Sequence, residues 1–225
     1  MSNWPLYKTR WDWQPWLEAR LDEAADLKGL IVDLRANEGG NPIVGAMLLT
    51  RLISEPVPIP PMRRLVRFRS LPESLRGHAN TWDSSFYDIG INAEPVARGF
   101  YELPSGDRPS QLDPRGKRVD VPVAVLTSPT NSSASFTFAR VAKSTGRVTL
   151  VGETTGGNRR GINGDGYFFT TLPHSGVEFD IPIVGSFPPD PQPDAGVEPH
   201  IAVVETQDDI ARGRDATLAR AFELF

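Results

Sequence analysis

The stretch TSPTNSSASFTFARVAKSTGRVTLVGETTGG, Thr127–Gly157, decides how this chain folds. The apolar run VPVAVLT (Val121–Thr127) leads into it and reads as a buried strand. A polar turn crowded with serines follows, then a helix, a second apolar strand over Val148–Gly152, and a turn rich in threonine and glycine. Strands alternating with helices argue for an α/β fold. A serine at the start of the helix sits where the first-turn N–H groups have no intrahelical partner. Those donors favour negative charge and suit the oxyanion of an acyl-transfer reaction. The plainer reading is that Asn131 or Ser132 caps the helix.

Upstream, LKGLIVDLRANEGGNP (Leu27–Pro42) reads as a strand with apolar residues on both faces, as a buried parallel strand requires. It runs out through Asp33, Arg35 and Asn37 into Gly39–Gly40. Paired glycines after a strand permit positive φ and a close approach of backbone to a ligand. A helix begins near Pro42, where proline's missing N–H does no harm. The dinucleotide pattern G-x-G-x-x-G is absent.

Four ordered blocks carry a resemblance: GLIVDLRANEGG (29–40), NSSAS (131–135), RVTLVGETTGG (147–157) and PDAGVEPHIAV (193–203). Together they resemble the serine peptidases of the C-terminal processing protease and tricorn family. The fold this implies is α/β, a ClpP/crotonase-like core of mixed sheet and helices with a loop-rich insert. A single catalytic domain is expected over 1–225, with the insert or lid near 54–117 and the nucleophile-bearing half over 118–225. The insert itself resembles nothing placed.

The resemblance puts the nucleophile on Ser133, with Ser132 and Ser135 as a cap and a packing residue. It gives the oxyanion hole to the Ala134 N–H and to an N–H of Gly39 or Gly40. The substrate implied is a polypeptide, and no cofactor or metal is called for. Members with a Ser–Lys dyad place the lysine about 25 residues after the serine, as the general base. That count lands on Asn158, whose amide cannot take a proton. Arg159 and Arg160 beside it stay protonated. Tricorn-like members take a histidine from an N-terminal domain and an acidic residue near the last strand, for which Asp194 or Glu198 is the nearest match. An N-terminal domain or a second chain is therefore expected to supply the base. His200 stands where the family usually has Asp. A rival reading on the same core is a non-catalytic module for hydrophobic ligands or peptides, similar to the repeats of interphotoreceptor retinoid-binding protein.

In-chain bases are few. The chain has three histidines, His78, His174 and His200. His78 lies in the insert and is the first choice, because long inserts fold over sites as lids. His174 falls in a turn between two expected strands. Lys143 is ten residues beyond Ser133, about 15 Å along a helix, which is too far for a base.

The remaining segments fill in the α/β pattern. An edge strand is expected at the very start, then a helix over Trp13–Ala25 that packs through Trp13, Trp16, Leu17 and Leu21. RRLVRFRS reads as a half-buried strand and Phe86–Arg115 as loop. YFFTTL and VEFDIPI read as strands, Ile201–Val204 as another, and a last helix starts at Asp208. With 225 residues the chain is long enough for one sizeable domain. A net charge of −4 gives no footing for nucleic acid. No cysteine is present, which excludes disulfides, thiol catalysis and thiolate metal sites. No apolar run approaches a membrane span, and the first residues lack the apolar core of a signal peptide. Relatives of this organisation are often exported, and the compartment is left open.

Overall fold

The computed structural model describes residues 11–106 and 109–225. The chain divides into two compact units. The first takes Met1–Ile59, Pro109–Asn158 and Ala195–Phe225; the second takes Pro60–Arg108 and Arg159–Asp194.

The first unit is an α/β layer structure. Its elements, numbered along the chain, are α1 (Trp13–Ala24), β1 (Leu30–Asp33), α2 (Pro42–Leu52), β2 (Val57–Pro58), β6 (Gln111–Leu112), β7 (Val123–Thr127), α4 (Ser133–Thr145), β8 (Thr149–Gly152), β11 (Ile201–Ala202), α5 (Gln207–Ala211) and α6 (Ala216–Phe222). The main sheet runs β1-β7-β8-β11, with every pairing parallel. All five residues of β7 are buried, as its unbroken apolar run requires. Alternation sends Ala124 and Leu126 to one face, where with Val151 they pack on Ala221 of α6. α2 and α4 pack together so closely that a Cβ on Gly45 would stand 2.9 Å from the Phe138 ring. Asn41 caps α2 by accepting from the Ile43 N–H at 3.0 Å, with Pro42 just inside.

The second unit is an antiparallel sheet in the order β4-β5-β3-β10-β9. These strands are β3 (Arg63–Val66), β4 (Glu94–Val96), β5 (Phe100–Glu102), β9 (Ile162–Thr171) and β10 (Glu178–Phe187), with a short α3 (Glu73–Arg76). β9 and β10 form the expected hairpin, and His174 lies in its turn. Val66, Ala79, Ala93, Leu103, Phe168, Ile183 and Val184 make the core.

The whole is mixed α/β, a parallel sheet with helices, in line with the sequence. Three local expectations need correction. Trp16 is exposed, not packed; the buried residues of α1 are Leu21 and Ala24. The Phe86–Arg115 stretch is not all loop, since β4, β5 and β6 lie in it. Strands of two or three residues are too short to show a period, and their partners are distant in sequence. The last helix is broken in two around Gly213, whose φ is +62°. The edge strand expected over the first residues lies outside the described residues. Among the described residues no helix is long and apolar enough to cross a membrane.

Candidate active site

β7 delivers the chain to the site. Its last residue, Thr127, is buried, and its hydroxyl donates to the Glu153 carbonyl at 2.8 Å, tying the ends of β7 and β8 together. The turn that follows ends at Ser133, the first residue of α4. Ser133 is exposed and has φ +46°. A left-handed φ costs a serine roughly 1–3 kcal/mol unless its surroundings hold it there. Ser132 occupies the N-cap position but makes no capping bond. Its hydroxyl instead donates to the Glu38 carbonyl at 2.7 Å.

The glycine pair meets the serine turn here. Gly39 and Gly40 have φ +127° and +120°. A Cβ on Gly39 would stand 2.7 Å from the Ser133 Cβ and 3.0 Å from the Ala134 nitrogen, so only glycine fits against the serine turn. The Gly39 N–H donates to Asn37 Oδ1 at 2.9 Å. Asn37 is itself buried.

Asn131 is the residue whose role the sequence reading missed. It is fully buried and caps nothing. Its amide nitrogen donates to the carbonyls of Leu34 and, at 3.0 Å, Asn37. Its Oδ1 accepts from the Ser128 N–H at 2.8 Å. Its own carbonyl accepts from Gly156 at 2.9 Å and Gly157 at 3.1 Å. One side chain and one peptide thus join the Leu34–Gly40 loop, the serine turn and the GETTGG turn. Ser128 adds a bond from its hydroxyl to the Arg35 carbonyl. The fourth block joins through Thr155, whose N–H donates to Val197 O at 3.1 Å and whose hydroxyl accepts from Val197 N at 2.9 Å. The sequence signal was an asparagine in a turn between buried elements, which asks for partners on both sides of its amide.

The other sequence candidates sit as follows. Gly157, just before Asn158, runs against α4: a Cβ there would lie 2.3 Å from the Phe136 ring. Lys143 donates from Nζ to the Glu198 carbonyl at 2.6 Å. His200 Nδ1 accepts from the Leu150 N–H at 2.9 Å, and burial, with the Lys143 charge nearby, lowers its pKa. Its Nδ1 is thus taken up as an acceptor for β8. Asp194 belongs to the second unit, where its carboxylate pairs with Arg160 at 2.8 Å on an exposed surface. His78 and His174 are also exposed residues of the second unit. Ser135 is buried as expected of a packing residue, and its hydroxyl has no partner among the described residues.

Arg35 anchors the loop that carries the glycines. Its guanidinium binds Asp33 at 2.7 Å and Asp215, the cap of α6, at 2.6 Å. Hydrogen bonds from Arg35 hold both carboxyls below their ordinary pKa. Groups with depressed folded pKa values contribute stability above the unfolded value, and that stability is lost as pH falls through the folded values. Wild-type stability should therefore fall below about pH 4. Arg35→Met should be less stable near neutrality and should lose less on acidification. Urea unfolding between pH 3 and 7 measures this; parallel curves for the two proteins would show that Arg35 does not set the acid response.

Comparison with known proteins places this architecture. The peptidase family S41 model matches residues 6–203. No curated protein sequence matches the chain. A solved structure of a putative peptidase from Parabacteroides merdae is similar at 24% identity and a TM-score of 0.59, covering 92% of this chain and 56% of that one. Mature CPAF, solved in complex with lactacystin, is similar at 19% identity and a TM-score of 0.57, covering 89% of this chain and 44% of that one. At these identities the likeness concerns the fold, and the chain spans about half the length of those proteins. With the family model covering most of its length, this chain belongs to peptidase family S41.

Proposed function

We propose that the chain is a serine-type peptidase unit in which Ser133 attacks the carbonyl carbon of a peptide bond. One observation carries the reading: an exposed serine held at φ +46° at a helix start, with Gly39 packed against it. A module that only binds ligand has no need of that strain, whereas a nucleophile on a sharp strand-to-helix turn does.

In the proposed reaction the Ser133 Oγ–C bond forms as its proton leaves to a base. The Ala134 N–H stabilises the tetrahedral oxyanion. Gly40 is the better second donor, because the Gly39 N–H is directed to Asn37. The amine leaves with a proton, and water then hydrolyses the acyl-Ser133 ester. We assign Asp194 no part in these steps, since Arg160 already holds its carboxylate. The general base comes from an N-terminal domain or a second chain. Asn158 occupies the dyad lysine's place, and both Lys143 and His200 are engaged structurally. Processing of polypeptide C-termini is the finer reading we favour, on the resemblance of the four sequence blocks.

A fluorophosphonate probe tests the assignment. A covalent adduct is expected on Ser133 and should vanish in Ser133→Ala. Mass-spectrometric mapping that finds it on Ser132 or Ser135 would show that the nucleophile has been placed wrongly.

A further inference from the structure

The second unit carries an aromatic surface that the proposed chemistry does not use. Trp82 is 61% exposed, yet its ring lies 5.5 Å from Phe86, 5.9 Å from Tyr167 and 5.6 Å from Phe169. Tyr167 and Phe169 are two apart on β9, so they share a face of the sheet, and their rings are stacked at 6.5 Å. On β10, Asp180 is directly opposite Phe169 and Glu178 is opposite Thr171. Opposed residues of an antiparallel pair project to the same face. Both carboxylates therefore border the aromatic group, both are exposed, and neither has an ion-pair partner among the described residues. Asp83, next to Trp82 in sequence, adds a third negative charge; its bonds to Ser85 hold its carboxyl below the usual range. Arg64, on β3 of the same sheet, faces Asp165 at 3.4 Å.

The outer edge of β9 is bridged by Asn80 beside this surface. Phe169 exchanges backbone bonds with Asn80 at 2.8 and 3.0 Å, so its peptide groups point outward from the sheet. By alternation those of Tyr167 and Thr171 do too. Among the described residues no backbone group pairs with them on that side. β9 is the terminal strand of its sheet.

We propose that this face binds a polypeptide segment bearing lysine or arginine, its cation on the Trp82–Tyr167–Phe169 rings. Electron-rich ring faces attract cations, and the carboxylates of Glu178 and Asp180 add to that attraction. Charge decides against a second copy of the same face, which would set Asp83, Glu178 and Asp180 against their own equivalents. The inference goes beyond the peptidase reading and does not depend on Ser133.

The test uses the whole chain carrying Ser133→Ala, so that no probe is cleaved. Fluorescein-labelled ten-residue peptides of alternating arginine and valine, and of alternating glutamine and valine, are titrated by anisotropy. The arginine peptide should bind at least about fivefold more tightly than the glutamine peptide, with the difference shrinking in salt. Trp82→Ala and, separately, Asp180→Asn should remove most of that preference. Both residues are exposed, and Asp180→Asn disturbs no bond, so it serves even if Trp82→Ala folds poorly. Equal binding of the two peptides would overturn the proposal, as would a preference untouched by Asp180→Asn. So would sedimentation showing Trp82-dependent dimers with no peptide bound, which would identify a second copy as the occupant.

Discussion

Replacing Gly39 by alanine should slow acylation of Ser133 by about 100-fold or more, the scale of losing one oxyanion donor. Two effects act together. The new methyl would stand 2.7 Å from the Ser133 Cβ and 3.0 Å from the Ala134 nitrogen, closer than packed atoms come. Either the serine turn or the glycine loop must shift, and a displacement of that kind spoils both the nucleophile and its donors. The φ of +127° is also one that a side chain rarely adopts, which costs on the order of 1–3 kcal/mol in stability. Gly77→Ala is the matched control: its φ is −66° and nothing lies within 4 Å of the added methyl. The measurement is the second-order rate of fluorophosphonate labelling, read beside the unfolding midpoint. A folded Gly39→Ala protein that labels at the wild-type rate would remove the glycine loop from the site.

The largest stability effect should come from Asn131→Leu, which keeps the shape and removes the polar atoms. Two backbone groups lose their partner, the Asn37 carbonyl and the Ser128 N–H, while the Leu34 carbonyl keeps only the Asn37 N–H. Each such loss costs about 1–3 kcal/mol, so about 2–6 kcal/mol in all is expected. For a chain of this size that lowers the unfolding midpoint by about 4 °C or more. Asn131→Asp should be nearly as damaging. It restores the acceptor for Ser128 but turns a carboxylate oxygen toward two carbonyl oxygens. Thermal unfolding followed by circular dichroism measures both. A midpoint lowered by less than about 3 °C in Asn131→Leu would mean that the three loops are held by something else.

Much of the first unit was legible along the chain. β7 and α4 could be read from Val121–Thr145 because a buried strand and an amphipathic helix each impose a local period. Gly39–Gly40 and Pro42 marked the end of one element and the start of the next. That a serine stands at the head of α4 followed from the strand–turn–helix pattern, and Ser133 is that residue. The second unit was not legible as a unit. It joins 60–108 to 159–194, and only pairings such as Leu65 with Gly185 show that the two stretches form one sheet.

What the sequence determined by itself was where elements begin and end and which residue types stand at their junctions. Those features rest on forces between near neighbours: side-chain periodicity, caps, and the φ that glycine permits and proline fixes. Tertiary structure alone decided what each junction residue does. Asn131 has the look of a cap and is a clamp, because the carbonyls of Leu34 and Asn37 lie ninety-odd positions away and outcompete its own helix. Gly39 offers an N–H that Asn37 takes, and Arg35 finds its second carboxylate at Asp215, 180 residues on. Hydrogen bonds and ion pairs are short-ranged in space and indifferent to distance along the chain. Their partners exist only once the parallel sheet has brought the ends of β1, β7 and β8 together.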